Sequence, residues 1–224
     1  MGTVTAAEKN RRLQPLIGIT LVILILGGWF YPPIGYFLLF CMVMSMAIGA
    51  IKGRSWCDWM CPRGSFWDSY LSRISRKVEV PRFFRSIPFR ILWLGILMTM
   101  LIVNITPFWG DYYKMGQPFV VILTVTTGVG LLLGVIYHHR IWCMFCPMGT
   151  MANWLGRKKM LLKVNSKCTS CGCCEKICRM QINPGLYREA GAVLHGDCLK
   201  CSYCIDNCPQ KALSFDHTKY NDVA

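Results

Sequence analysis

Two cysteine runs dominate the C-terminal part of this 224-residue chain: Cys168-x2-Cys171-x2-Cys174-x3-Cys178 and, after 19 residues, Cys198-x2-Cys201-x2-Cys204-x3-Cys208-Pro209. Thiolate sulfur is a soft donor suited to iron-sulfur clusters, and closely spaced thiolates on a tight loop can hold three corners of a cube. The fourth corner must come from elsewhere in the chain. Two tetrahedral zinc ions would also use eight cysteines, but zinc ribbons separate their C-x2-C pairs by a longer stretch. A secreted disulfide framework fits poorly, because short secreted scaffolds carry no long charge-free apolar runs. The spacing therefore predicts two 4Fe-4S clusters.

The repeated run is that of bacterial two-cluster ferredoxins, in which the fourth cysteine of each run ligates the other cluster. One cluster then takes Cys168, Cys171, Cys174 and Cys208, and the other Cys198, Cys201, Cys204 and Cys178. Two departures stand out. Arg179 occupies the place that Pro209 holds in the second run, and Cys173 is an additional cysteine, read as a small packing residue near the cluster.

A second constellation repeats earlier in the chain. Residues 54–65, with Arg54, Trp56, Cys57, Cys61, Pro62 and Gly64, return at 140–150 as Arg140, Trp142, Cys143, Cys146, Pro147 and Gly149. Separations of three and four residues put both thiols of a pair on one face of a helical turn, and the proline can open the next helix. Three chemistries stay open for Cys57, Cys61, Cys143 and Cys146: a shared metal or third iron-sulfur site, redox-active dithiols, or interfacial packing. Recurrence within one frame argues against packing alone.

The elements that must position these residues are apolar. Hydrophobic residues make up 54% of the chain and charged ones 16%, against about a quarter in soluble domains. Four stretches, 16–31, 34–51, 91–109 and 119–137, lack Asp, Glu, Lys and Arg. Each is close to the roughly 20 residues that a membrane-spanning helix needs. Pro32 and Pro33 separate the first from the second. No small-residue cleavage site follows the first stretch, which reads as a retained anchor. Of the 25 Lys and Arg, 24 fall before the first stretch, between the second and third, or after the fourth; only Lys114 lies between the third and fourth. The positive-inside rule then puts both termini and the central loop in the cytoplasm of a bacterium, with the chain multi-pass in its inner membrane.

The net charge of +14 is concentrated there: residues 1–164 carry +13 and residues 165–224 only +1. The partner this charge predicts is anionic lipid, not nucleic acid. In the central loop Phe66, Trp67, Tyr70, Leu71, Ile74 and Val78 recur at helical spacing, which predicts an interfacial helix, with Ser65 and Asp68 capping its start. Because each half crosses twice, the two cysteine motifs should face one side, related by an axis along the membrane normal. The expected fold is α-helical membrane protein: four transmembrane helices as two parallel repeats over 1–164, then a two-cluster ferredoxin-like α+β domain over 165–224.

Other residues carry less. His138 and His139 follow the fourth stretch; interfacial anchoring and contact with a quinone are both open. No stretch contains histidine, so a bis-histidine haem ladder is excluded, and no flavin or nicotinamide motif is present. Gly128, Gly130 and Gly134 lie inside an apolar stretch with no preceding strand and predict helix contact instead of a nucleotide loop. Trp109, Tyr112 and Tyr113 read as an outer aromatic belt.

With the apolar stretches, the paired W-C-x(2,3)-C-P-x-G motifs and the ferredoxin tail together, the chain resembles the NapH-type family of membrane-bound iron-sulfur proteins. The resemblance runs from the first stretch to Pro209, and departs at C-x2-C-P in the second motif, where the family usually has C-x3-C-P. It implies an electron-transfer subunit of a quinol-oxidising complex that passes electrons between the quinone pool and other redox subunits. The alternative class is a redox assembly or maintenance factor for a larger metalloenzyme.

Overall fold

The computed structural model describes residues 6–156 and 159–215; the end of the expected tail domain, 216–224, lies outside the described residues. In chain order the elements are α1 (Ala6–Phe30), α2 (Phe37–Lys52), α3 (Trp56–Trp59), α4 (Pro62–Ser69), α5 (Ile87–Ile105), α6 (Gln117–Ile136), α7 (Ile141–Phe145), α8 (Pro147–Gly156), β1 (Leu162–Val164), α9 (Cys173–Lys176), β2 (Ala192–Val193), α10 (Tyr203–Asp206) and β3 (Leu213–Phe215). Four helical segments are long and apolar enough to cross a membrane. They present Ile23, Leu26, Leu92, Ile102, Val103 and Leu132 outward, a surface that apolar solvent would cover. The chain is a helical membrane protein.

Two compact units divide it, and both are discontinuous in sequence: Met1–Met44 with Trp59–Thr150, and Ser45–Asp58 with Met151–Ala224.

In the first unit, prolines set the helix boundaries. Pro32 and Pro33 open a 3-10 turn after α1, and Pro88 and Pro118 stand in the first turns of α5 and α6. The polar turns at that end meet backbone to backbone. A Cβ on Gly116 would lie 2.1 Å from the Pro32 carbonyl oxygen, so only glycine fits there. The segment expected as an interfacial helix over 66–78 is instead α4, ending at Ser69, followed by a 3-10 turn at Leu71–Arg73. Trp67 and Leu71 are buried, whereas Ile74 is exposed. The reason is on α6: Trp67 sits over Gly130, and Leu71 over Gly134, where missing side chains make room. Those two glycines do serve a helix contact, as expected, while Gly128 faces open space.

In the second unit, small residues bring α8 onto the end of α2. The Gly49 position approaches Ala152, and Gly156 approaches Gly53 and the Gly49 carbonyl. A three-stranded antiparallel sheet in the order β2-β1-β3 follows, with Leu162 opposite Val193 and Phe215 and Val164 opposite Leu213. Its buried face consists of Leu162, Val164, Val193 and Leu213. Two loops hang from this sheet and carry the cysteine runs.

Candidate metal centre

The two cysteine loops are built alike, residue for residue, at an offset of 30. Cys168 and Cys198 donate their backbone N–H to Asn165 and His195 carbonyls at 3.0 and 3.2 Å, and Cys178 and Cys208 donate to Glu175 and Ile205 at 3.1 and 3.2 Å. Left-handed backbone recurs at Ser170 and Lys200, at Gly172 and Ser202, and at Gln181 and Lys211. Non-glycine residues adopt it at a cost of order 1–3 kcal/mol each, a strain that clusters at functional sites. Here it turns each loop back on itself between cysteines.

Each loop shares a cavity with the last cysteine of the other. One is lined by Cys168, Cys171, Cys174 and Cys208, with Pro209 and Leu213. The other is lined by Cys178, Cys198, Cys201 and Cys204, with Leu162, Met180 and Leu199. Each cavity thus brings three cysteines of one run together with the last cysteine of the other. Among the described residues no three Cys, His, Asp or Glu side chains converge tightly enough to hold a single ion. Each set offers four thiols, the soft donor that iron-sulfur clusters use. Burial pushes the Cys201 thiol up to about 12, with Asp58 adding to the shift and Arg179 opposing it, and burial also pushes Cys204 up. A thiolate in that cavity needs a strong positive partner, which cluster iron supplies. Cys173 is exposed and hydrogen-bonds with Cys171, so it is a rim residue and not the packing residue its size suggested.

The earlier cysteine pairs also share a local geometry. Cys57 lies in α3 and Cys143 in α7, while Cys61 and Cys146 stand in extended backbone just before Pro62 and Pro147 open α4 and α8. Each pair therefore straddles a break between two short helices and does not share one helical face, because proline displaces the preceding residue from helical backbone. The carbonyls of Cys61 and Cys146 accept from Ser65 and Thr150 N–H, each at 2.9 Å. Ser65 Oγ donates to the Trp59 carbonyl at 2.6 Å, so Ser65 and Asp68 do not form the cap that their spacing suggested.

Within the first unit Cys61, Cys143 and Cys146 are brought together, each within electrostatic reach of Arg63. Cys57 falls in the second unit. Trp142 is held edge-on to Trp93 and Phe145, at centroid distances of 5.9 and 5.0 Å, and it supports Arg63 at 5.2 Å over its ring. Arg63 donates to Thr126 Oγ1 at 2.8 Å and Thr127 Oγ1 at 3.1 Å. Arg63, Trp142 and Cys146 line a cavity of about 70 Å³ otherwise walled by Leu38, Met42, Leu97 and Phe119.

Arg140 and Asp68 were missed as a functional pair by sequence reasoning. Arg140 is fully buried, its Nε 2.7 Å from Asp68 Oδ1, and its Nη1 lies 3.6 Å from Cys143 Sγ. His139 Nε2 lies 3.5 Å from the same carboxylate, and His138 packs against His139 at 4.2 Å. Both histidines are buried, so interfacial anchoring does not describe them. Burial, then His139 and Arg140, pull His138 down to about 3, and its Nδ1 accepts the Arg140 N–H at 3.2 Å. The depressed value implies a pH dependence. The unfolded chain takes up a proton at His138 below about 6.5 and the folded one does not until about 3, so stability present above 6.5 should fall away between the two. Thermal unfolding of the protein and of His138→Gln from pH 7 to 4 should show a shallower decline in the variant; parallel curves would overturn this.

A family model described as a 4Fe-4S binding domain matches the chain twice, over residues 34–81 and 118–166. Each match contains one of the W-C motifs. The ferredoxin-type protein NapH of Haemophilus influenzae is 26% identical over 191 residues, which cover 77% of this chain and 66% of that protein. The chain is thus similar to ferredoxin-type proteins of the NapH kind. Other relatives are the methylamine utilization ferredoxin-type protein MauN of Methylorubrum extorquens, 27% identical over 79% of this chain and 66% of that protein, and the putative electron transport protein YccM of Escherichia coli, 24% identical over 75% of this chain and 52% of that protein. The chain thus spans between half and two thirds of the length of these three relatives. No solved structure matches it. The likeness is to iron-sulfur proteins of that type, and the chain has four helices of membrane length.

Proposed function

We propose that this chain is the membrane-bound iron-sulfur subunit of a quinol-oxidising complex, passing electrons between the quinone pool and a partner redox protein. The observation that carries the reading is the pair of four-cysteine cavities, Cys168, Cys171, Cys174 and Cys208 in one and Cys178, Cys198, Cys201 and Cys204 in the other, in a chain with four membrane-length helices. These are the ligand sets of two 4Fe-4S clusters, in a tail domain of 165–224 behind a membrane domain of 1–164. The bias of 24 basic residues against Lys114 supports a tail on the cytoplasmic side of the inner membrane.

Oxidation of a quinol releases two electrons and two protons, and a 4Fe-4S cluster accepts one electron at a time. The chain's own part is to bind and orient. The apolar cavity beside Arg63 and Cys146 suits a lipid-soluble ring, with the guanidinium as donor to a carbonyl oxygen. His139, beside the Asp68 carboxylate, is the group able to hydrogen-bond a quinol hydroxyl and take its proton, whereas His138, held neutral, offers a hydrogen bond only.

Anaerobic iron and sulfide analysis of the purified chain tests the cofactor reading. About eight iron atoms per chain are expected if only the tail is filled, and about twelve if Cys57, Cys61, Cys143 and Cys146 hold a third cluster. Stoichiometric zinc with little iron would overturn it.

A further inference from the structure

The second compact unit contains both the tail and the segment 45–58, which ends on Cys57 and Asp58. Two buried ion pairs join that segment to the loops that carry cysteines. Arg54 Nη1 lies 2.7 Å from Asp197 Oδ1, and Asp197 immediately precedes Cys198. Arg179 Nη1 lies 3.1 Å from Asp58 Oδ1, and Arg179 immediately follows Cys178. The Arg179 guanidinium also stacks 4.0 Å over the ring of Tyr203 and donates to its hydroxyl; Tyr203 stands between Cys201 and Cys204. These contacts fall beside one cysteine cage: Asp197 and Arg179, which meet the Cys57 motif, adjoin Cys198 and Cys178, and Tyr203, which holds Arg179, lies between Cys201 and Cys204. The other cage opens outward instead, through exposed Cys171 and Cys173.

The polarity of the pairs alternates: a cation of the motif meets an anion of the tail at Arg54, and an anion of the motif meets a cation at Asp58. A shifted or reversed docking would bring like charges together in a buried place, which is strongly unfavourable. The arrangement also explains why arginine stands at 179, where the second run has proline. A proline there could neither reach Asp58 nor stack on Tyr203.

We infer that Arg54, Asp58, Arg179 and Asp197 are positioning residues that fasten the Cys57 motif to the cage of Cys178, Cys198, Cys201 and Cys204, so that this cage is the one that exchanges electrons with the motif. The exposed cage of Cys168, Cys171, Cys174 and Cys208 is then the outer one, facing a soluble or peripheral redox partner. Each exchange moves one electron between this cage and an iron-sulfur centre held by cysteines of the motif, one side oxidised as the other is reduced; a dithiol, which gives up two electrons as its disulfide bond forms, could not serve. The inference rests on the iron-sulfur reading of the tail.

Redox titration of the full chain in detergent, followed by electron paramagnetic resonance, tests it through the field these charges exert. Removing a positive charge beside one cage makes reduction there harder, and removing a negative one makes it easier. Arg179→Gln should lower the midpoint of one cluster signal and Asp58→Asn should raise the midpoint of that same signal, while the other signal stays where it is. Cys208→Ala identifies the signals by depleting the outer one. Arg179→Lys keeps the charge and should leave the midpoint near its native value, which covers the case in which a neutral variant does not accumulate. Equal movement of both signals, or movement of the outer one alone, would overturn the assignment. Absence of both signals in the unaltered chain would overturn the iron-sulfur reading and this one with it.

Discussion

Replacing Cys201 by alanine is expected to remove about four iron atoms, roughly half of the tail's complement, while Cys41→Ala leaves the iron count unchanged. Cys201 lines a cavity with Cys178, Cys198 and Cys204, and its burial makes an isolated thiolate there expensive. Once one corner is lost, no further cysteine among the described residues lines that cavity to take the vacant place. Cys171→Ala is the informative contrast. Cys173 lies at the rim of the same cavity as Cys171 and hydrogen-bonds with it, so a spare thiol is at hand, and the iron loss should be smaller or reversible on reconstitution. Cys41 is buried within α2, in the other compact unit, and serves as the control. Equal loss in all three variants, measured by iron analysis and the visible absorption of the purified chain, would mean that the crossed ligand sets are wrong.

The difference between the two cages explains what the sequence made legible and what it did not. The ligand sets follow from a spacing of 30 residues that the backbone repeats down to its left-handed positions, Ser170 with Lys200 and Gln181 with Lys211. Local pattern and local structure coincide there. The charges around the motifs are another matter. Arg54, Arg140 and Arg179 count toward the basic excess from which the orientation is expected, yet all three are buried in ion pairs with Asp197, Asp68 and Asp58. Their partners are 143, 72 and 121 residues away, so no periodicity could announce them. A composition count cannot tell a cation that waits for a lipid headgroup from one that is folded onto a carboxylate.

The central loop was misread for a related reason. Apolar residues at helical spacing in a basic segment resemble a helix lying on a bilayer, and Trp67 and Leu71 supply the bulk of that pattern. They are core residues because Gly130 and Gly134, one turn apart on α6, leave hollows for them. The glycines were visible in the sequence as a contact surface, but what they contact was not.

The repeated motifs lead to the last expectation. Cys61→Ser, Cys143→Ser and Cys146→Ser should each impair the same redox signal and lower the iron content from about twelve to about eight, leaving both tail clusters in place. Three observations support one shared site over separate dithiols. Cys61, Cys143 and Cys146 lie close enough to influence one another's charge, although 82 residues separate the first from the second. Arg63 and Arg140, both cations, stand beside them, the latter 3.6 Å from Cys143, so that positive charge offsets part of the repulsion among the thiols' sulfur atoms. Both copies of the motif fall within matches to a 4Fe-4S binding domain. Cys57→Ser then decides whether the fourth corner comes from the other half of the first motif: the same loss of about four iron atoms assigns it there. Separate dithiols predict otherwise, since a lesion in one pair would leave the thiol titration of the other unchanged and the intact pair would still close to a disulfide on oxidation. Iron at about eight in the unaltered chain, together with normal quinol oxidation after all four cysteines are replaced, would reduce the motifs to packing around Trp56 and Trp142 and confine electron transfer to the tail.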